Sequence, residues 1–334
     1  MERLVHIDIL KGIAIIMVVM GHMFVPYTSY LDSSVNQLIY SVHMPLFFFL
    51  SGYVFHLKLY GKFEVIRTIC KRTLTLLLPF LSFSALYCFA YSLSYGNMIV
   101  NNEMHNGYWF TLVLWEIILI SILFELLLGA RKTLRNDAIV NSVVIILFLF
   151  VAKQELIPEP IRTILSTDKV AKFYMFFQFG KFVGSYGSVK KLFQNKWVYL
   201  LGFVCYFYIF CKYGYNLQFV NIYSFILPFC GIILISNVVE QNVHKLNYKG
   251  FLQYIGRNSL EIYLIHFFLL STIPGNIINC FGIVYFQLVV LLLLSVFCIV
   301  ISLVIAKFIH NSSLLSLILL GKGILLNKIL FPNK

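Results

Sequence analysis

The side chains best equipped for chemistry sit in four short blocks. Asp8, Lys11 and His22 lie in the first, His43 and Ser51 in the second, Trp109 and Glu116 in the third, and Glu261 and His266 in the fourth. On a helix of 3.6 residues per turn, Lys11 and His22 differ by about 20° and Asp8 and His22 by about 40°, so the three share one face. Lys11 then lies about 16 Å from His22 along the axis. Imidazole exchanges a proton near neutral pH, so three histidines point to proton transfer or acyl transfer. Plainer readings exist for each block. Asp8 and Lys11 have the spacing of an ion pair, and Arg257 and Glu261 have that of another. Asn258 and Glu261 match a capping box. Pro45 suits a helix's first turn or a break in it, with Phe47, Phe48 and Phe49 as a lipid-facing belt. Trp109 and Glu116, seven residues apart, share a helix face. The seven cysteines show no metal spacing and read as small apolar fillers, so no metal site is expected. No Gly-rich phosphate loop or Gly-x-Ser-x-Gly elbow occurs.

The elements that must position these residues follow from composition. Of 334 residues, 60% are hydrophobic and only 12% charged, and the mean hydropathy is +0.87. A soluble chain of this size has about twice that share of charge. The apolar runs are continuous rather than alternating, which argues for helices and against a barrel. The expected fold is therefore an all-α, polytopic membrane protein without a soluble domain. Ten spans are predicted, at 8–26, 38–57, 73–95, 108–128, 138–152, 171–187, 197–212, 219–239, 259–280 and 283–307. The chain divides by this reading into a transmembrane domain over 1–310 and a cytoplasmic tail over 311–334. Within that tail, 313–331 reads as an interfacial helix against membrane lipid. A net charge of +13 reflects basic loops rather than nucleic-acid binding. On the ten-span scheme, 21 of the 26 lysines and arginines fall on one side, which makes both termini cytoplasmic. Ionisable residues inside spans are costly and mark functional sites, but periodicity alone does not choose between an enzyme and a transporter.

The same blocks resemble the acyltransferase-3 family of integral-membrane acyltransferases. The resemblance starts at Asp8-Ile-Leu-Lys11-Gly12 and runs to Gly21-His22, a basic residue followed eleven positions later by histidine. It continues through His43-Met-Pro45-Leu-Phe47-Phe-Phe-Leu-Ser51-Gly52-Tyr53, Tyr108-Trp109-Phe110 and Gly256-Arg-Asn-Ser259-Leu-Glu261-Ile-Tyr263-Leu-Ile-His266. It implies transfer of an acyl group, usually acetyl, from cytoplasmic acetyl-CoA to a sugar hydroxyl of a surface polysaccharide or its lipid-linked precursor. Acetyl-CoA would be a co-substrate, with no bound cofactor, and the setting would be a bacterial inner membrane. His22 would be the leading catalytic residue, as base or transient acyl carrier, with His43 assisting. Lys11, Asp8 and Arg72 would hold the donor, and Ser51, Trp109, Glu116, Glu261 and His266 would line the substrate site. Lysine at position 11, where many members carry arginine, is similar to the exopolysaccharide branch, including fucose 4-O-acetylase-like proteins. No periplasmic hydrolase-like domain is expected after the last span. The alternative reading is a transporter or flippase of lipid-linked saccharides, for which the expected internal repeats and paired broken helices are not evident.

The charge asymmetry gives a first prediction. Reporter fusions after Arg135 and Lys249 should report cytoplasm, and fusions near Asn102 and Asn279 should report periplasm. A periplasmic signal after Arg135 would overturn the ten-span order.

Overall fold

A computed structural model describes residues 4–27, 34–55, 62–102, 105–153, 156–214, 222–243, 249–272 and 284–322. The helices in chain order are α1 (Val5–Tyr27), α2 (Ser34–Tyr53), α3 (Lys62–Arg72), α4 (Leu78–Ala90), α5 (Tyr95–Asn101), α6 (Trp109–Leu128), α7 (Leu134–Lys153) and α8 (Glu159–Ile164). They continue as α9 (Thr167–Ser185), α10 (Gly187–Phe193), α11 (Lys196–Tyr213), α12 (Tyr223–Asn242), α13 (Lys249–Arg257), α14 (Ser259–Thr272), α15 (Val284–Asn311) and α16 (Ser313–Leu320). No strand occurs among the described residues. A helix stands at each of the ten predicted spans, and six helical stretches are long and apolar enough to cross a membrane. The ninth span beyond Thr272 and the tail beyond Lys322 lie outside the described residues.

The chain forms two compact units. One comprises Met1–Val54 with Phe179–Ala306, and the other Phe55–Gln178 with Lys307–Lys334. In the first, α1 is central and packs against α2, α12, α13 and α14. Its tightest contact is with α13. A Cβ added at Gly256 would fall on the Asp8 carbonyl and the Gly12 amide, and one added at Gly12 would fall on the Leu252 carbonyl. Two glycines thus face each other, and no side chain fits between these backbones. The arrangement repeats between α2 and the end of α9. There Gly180 meets the Phe49 carbonyl, and Gly184 meets the Tyr53 carbonyl. Gly180-Lys-Phe-Val-Gly184 is a Gly-x-x-x-Gly spacing, which puts both glycines on one helix face.

Two local expectations are corrected. Pro45 lies inside an unbroken α2 rather than at a break or a first turn. The missing donor falls near a Ser41 side chain that donates to the Leu38 carbonyl at 2.8 Å and receives Tyr206 Oη at 2.9 Å. Phe47, Phe48 and Phe49 are all buried, so they form core rather than a lipid-facing belt. Phe49 stacks on Phe193 at 5.6 Å, and Phe48 is fully enclosed.

The second unit is organised around α6. A π-helical turn, Thr73–Leu77, joins α3 to α4, and Trp115 donates its indole N–H to Thr73 Oγ1 at 3.0 Å. Several polar side chains inside this unit bond to one another. Tyr174 donates to Asn141 Oδ1 at 2.7 Å, Asn141 donates to the Asp137 carboxylate at 2.7 Å, and Gln178 donates to Ser121 Oγ at 2.9 Å. Glu125 accepts both bonds from Lys132 Nζ, at 2.6 and 2.8 Å. In α16, Ile318 offers its carbonyl to Ser82 of α4, and Gly321 ends the helix in the left-handed region at φ 59°.

The glycine contact yields a stability prediction. Gly256→Ala should destabilise the protein by about 1–3 kcal/mol, the usual cost of overpacking. Gly250→Ala, on the same helix with nothing within 4 Å of its Cβ position, should be neutral or slightly stabilising. Thermal unfolding of the two purified variants in one detergent checks the pair, and equal melting temperatures would refute the close α1–α13 contact.

Candidate functional site

Three helices of the first unit converge on the histidines. His22 comes from α1, His43 from α2 and His266 from α14. Gly21 makes the convergence possible. Its Cβ position lies 3.1 Å from Ile39 Cγ2 and 3.3 Å from the Tyr40 ring, so α2 approaches α1 one residue before His22. The His22 ring lies 5.5 Å from that of His266, 4.8 Å from Phe267 and 6.5 Å from Tyr40, measured between centroids. Tyr40 in turn stands edge-on to His43 at 4.9 Å, with the ring planes at 90°. The imidazoles therefore form a continuous aromatic cluster with Tyr40 between His22 and His43.

Two of the rings have an assigned tautomer. His43 Nδ1 is 2.7 Å from the Ile39 carbonyl, and His266 Nδ1 is 2.7 Å from the Tyr263 carbonyl and 3.1 Å from that of Ile262. A carbonyl can only accept, so each Nδ1 carries the hydrogen and each neutral ring keeps Nε2 as its basic atom. His266 is 0% exposed, and its Nε2 has no hydrogen-bond partner among the described residues. Cys298 of α15 lies 4.0 Å from the His266 carbonyl and closes that side. His22 is half-buried and makes ring contacts but no hydrogen bond among the described residues. The arrangement can take a proton from a hydroxyl placed among these rings and return it to a leaving group.

The remaining predicted residues divide between the two units. Lys11 is half-buried on α1, next in sequence to Gly12. Asp8 is 6% exposed and accepts from Arg257 Nε at 3.2 Å, an ion pair that reinforces the glycine contact one turn away. Asn258 turns its side-chain amide back to the Tyr254 carbonyl at 2.8 Å, at the junction of α13 and α14. Glu261 is buried on α14, and Ser51 is half-buried near the end of α2. Arg72, Trp109 and Glu116 belong to the second unit. Arg72 ends α3. Trp109 stacks on Phe173 at 5.3 Å, with Lys169 Nζ 5.8 Å from its ring. Glu116 borders a cavity of its own in that unit. Tyr40 and Phe267 were missed in the sequence. Tyr40 stands three residues before His43, a spacing that puts both on one helical face and would have singled it out.

An all-helical chain with apolar helices of spanning length and a buried imidazole cluster is a polytopic membrane protein with a site inside its helix bundle. It belongs to the Acyltransferase domain family, whose model matches residues 4–320, from the residue before α1 to the last residue of α16. No curated protein and no solved structure matches the chain. The protein is thus a membrane acyltransferase, which sets aside the transporter and flippase reading.

The buried Nε2 of His266, unpartnered among the described residues, gives the next prediction. His266→Phe keeps an aromatic ring of similar size but removes Nε2. Acyl transfer by the purified variant should fall by about 10²–10⁴, as for loss of an acid–base group. Full turnover with an unchanged melting temperature would remove His266 from the site.

Proposed function

We propose that this acyltransferase moves an acetyl group from acetyl-CoA to a sugar hydroxyl of a bacterial surface polysaccharide or its lipid-linked precursor, within the inner membrane and with both chain termini in the cytoplasm. The observation that carries the proposal is the facing pair of imidazoles, His22 and His266, on a helix that bears Lys11 about 16 Å away on the same face. That separation suits a long donor with phosphates at one end and a thioester at the other. Lys11 holds the phosphates as a point charge, and the acyl carbonyl reaches the histidines. Asp8, through Arg257, keeps α13 against α1 and so keeps Lys11 at the mouth of this path.

In the reaction, His22 takes the proton of the acceptor hydroxyl as its oxygen attacks the thioester carbonyl. The carbon–sulfur bond breaks, and the departing thiolate receives that proton. His43 and His266, each with Nδ1 committed to a backbone carbonyl, present Nε2 to orient the hydroxyl. Ser51 and Glu261 contribute further polar contacts to the acceptor sugar. The exopolysaccharide branch, of the fucose 4-O-acetylase-like kind, is favoured by lysine rather than arginine at position 11.

The test is donor kinetics on matched amounts of folded protein. Free CoA thiol should appear from acetyl-CoA only when a saccharide acceptor is present. His22→Ala should mainly lower kcat, whereas Lys11→Ala should mainly raise the donor KM. Lys11→Arg should keep much of the activity. An unchanged KM in Lys11→Ala would sink the donor-binding role, and acceptor-independent thiol release would sink the transfer reaction.

A further inference from the structure

The second unit contains a cavity of about 480 Å³, within the size range of small-molecule sites. Its wall includes residues of α6 and α7, both long and apolar enough to span a membrane. The lining is apolar, from Leu119 and Ile120 to Phe148 and Ala171, with few exceptions. Glu116 is one of them. It is 8% exposed, and neither carboxyl oxygen has a hydrogen-bond partner among the described residues. A carboxyl left so costs several kcal/mol in apolar surroundings, a cost that a ligand's polar atom would remove. Arg162 and Asp168, an ion pair at 3.6 Å, also border the cavity. Both are shared with a small adjoining polar recess formed with Thr163, Ser166 and Lys169. The lining of this rim holds two cations, Arg162 and Lys169, beside one carboxylate, Asp168.

A second observation comes from the charge distribution. On the ten-span scheme, five basic residues stand on the side opposite the cytoplasm, and four of them, Lys153, Arg162, Lys169 and Lys172, fall within twenty residues of each other. Glu155, Glu159 and Asp168 stand in the same stretch, so four cations against three carboxylates leave it at +1, and Arg162 and Lys169 are the two of these cations that line the recess.

We propose that this cavity binds one anionic glycerophospholipid, with an apolar chain along α6 and α7, the phosphate on Arg162 and Lys169, and the glycerol-ester region against Glu116. The polar order of such a lipid, charged head, then ester, then hydrocarbon, matches the polar rim, the lone carboxyl and the apolar wall. A polyprenyl phosphate has no polar atom below its phosphate to meet Glu116, and free phosphate leaves the cavity unfilled. The site does not depend on the acyl-transfer reading, and its test reads binding rather than turnover.

The experiment is lipid retention by the delipidated, full-length protein in detergent, followed by native mass spectrometry. The probes are phosphatidylglycerol, diacylglycerol, polyprenyl phosphate and inorganic phosphate. Phosphatidylglycerol should bind at least about tenfold more tightly than diacylglycerol, the loss expected for a charge-assisted contact of about 1.4 kcal/mol. The Arg162→Gln/Lys169→Gln variant should bring it down to the diacylglycerol level without changing diacylglycerol itself. Glu116→Gln, whose amide can still donate to an ester carbonyl, should retain binding, and Glu116→Leu should weaken it. Ala171→Trp should block the cavity to both lipids. Leu119→Trp does the same from a half-buried position should Ala171→Trp fail to fold. Equal binding of phosphatidylglycerol and diacylglycerol by the wild type overturns the proposal, as does full binding by a folded cavity-filling variant. Tighter binding of polyprenyl phosphate overturns it in favour of a carrier lipid, and displacement by inorganic phosphate at equal concentration reduces it to an anion site.

Discussion

The first unit depends on one constraint, the backbone contact between α1 and α13 at Gly12 and Gly256. In lipid there is little hydrophobic gain from pressing two helices together, so close packing and internal polar bonds must do that work. Glycine on both sides removes every side-chain atom from the contact and lets carbonyl and amide groups touch. The Asp8–Arg257 pair adds a charge-assisted bond at the same level. Because α14 follows α13 after one residue, fixing α13 also fixes the start of α14, and with it Glu261 and His266. The imidazole cluster is therefore set by a contact roughly three turns away, between residues that carry no functional group.

A second rule governs the polar side chains. An unsatisfied polar group is expensive where water is absent. The Tyr174–Asn141–Asp137 chain and the Lys132–Glu125 pair obey it by closing on themselves. His266 Nε2 and the Glu116 carboxyl do not. The contrast within one molecule separates polar groups that build the helix packing from polar groups held ready for something else. A group with an open bond can still serve a ligand, whereas one bonded on every side has nothing left to offer.

Much of this was legible from residue types alone. Continuous apolar runs fixed the helical class and located a helix at every expected span, because length and hydropathy are local properties. The shared face of Lys11 and His22 follows from helical geometry and needs no neighbour. Partner helices are a different matter. Nothing local says that His266 meets His22 rather than another ring, or that Phe47 to Phe49 face core rather than lipid. Both answers come from which helices carry small residues at matching heights. The Gly180-x-x-x-Gly184 spacing was a readable signal for α9 against α2, and the Gly12–Gly256 pair was not, since neither α1 nor α13 carries a second glycine four residues away. Pro45 misled for a related reason: proline breaks isolated helices, but a helix buried on several sides by its neighbours can run on through one.

The committed Nδ1 atoms of His43 and His266 carry one more implication. A row of imidazoles inside a bilayer is a hazard, because a ring that accepts a proton on one nitrogen and releases it from the other is a link in a wire. Such a wire, joined to water at both ends, would drain the ion gradient that the membrane exists to hold. Here the far nitrogen of His43 and that of His266 each donate to a main-chain carbonyl, which is too weak a base to pass the proton on. A proton entering at Nε2 must leave by the same door. These two rings can lend and recover protons in each cycle and still insulate.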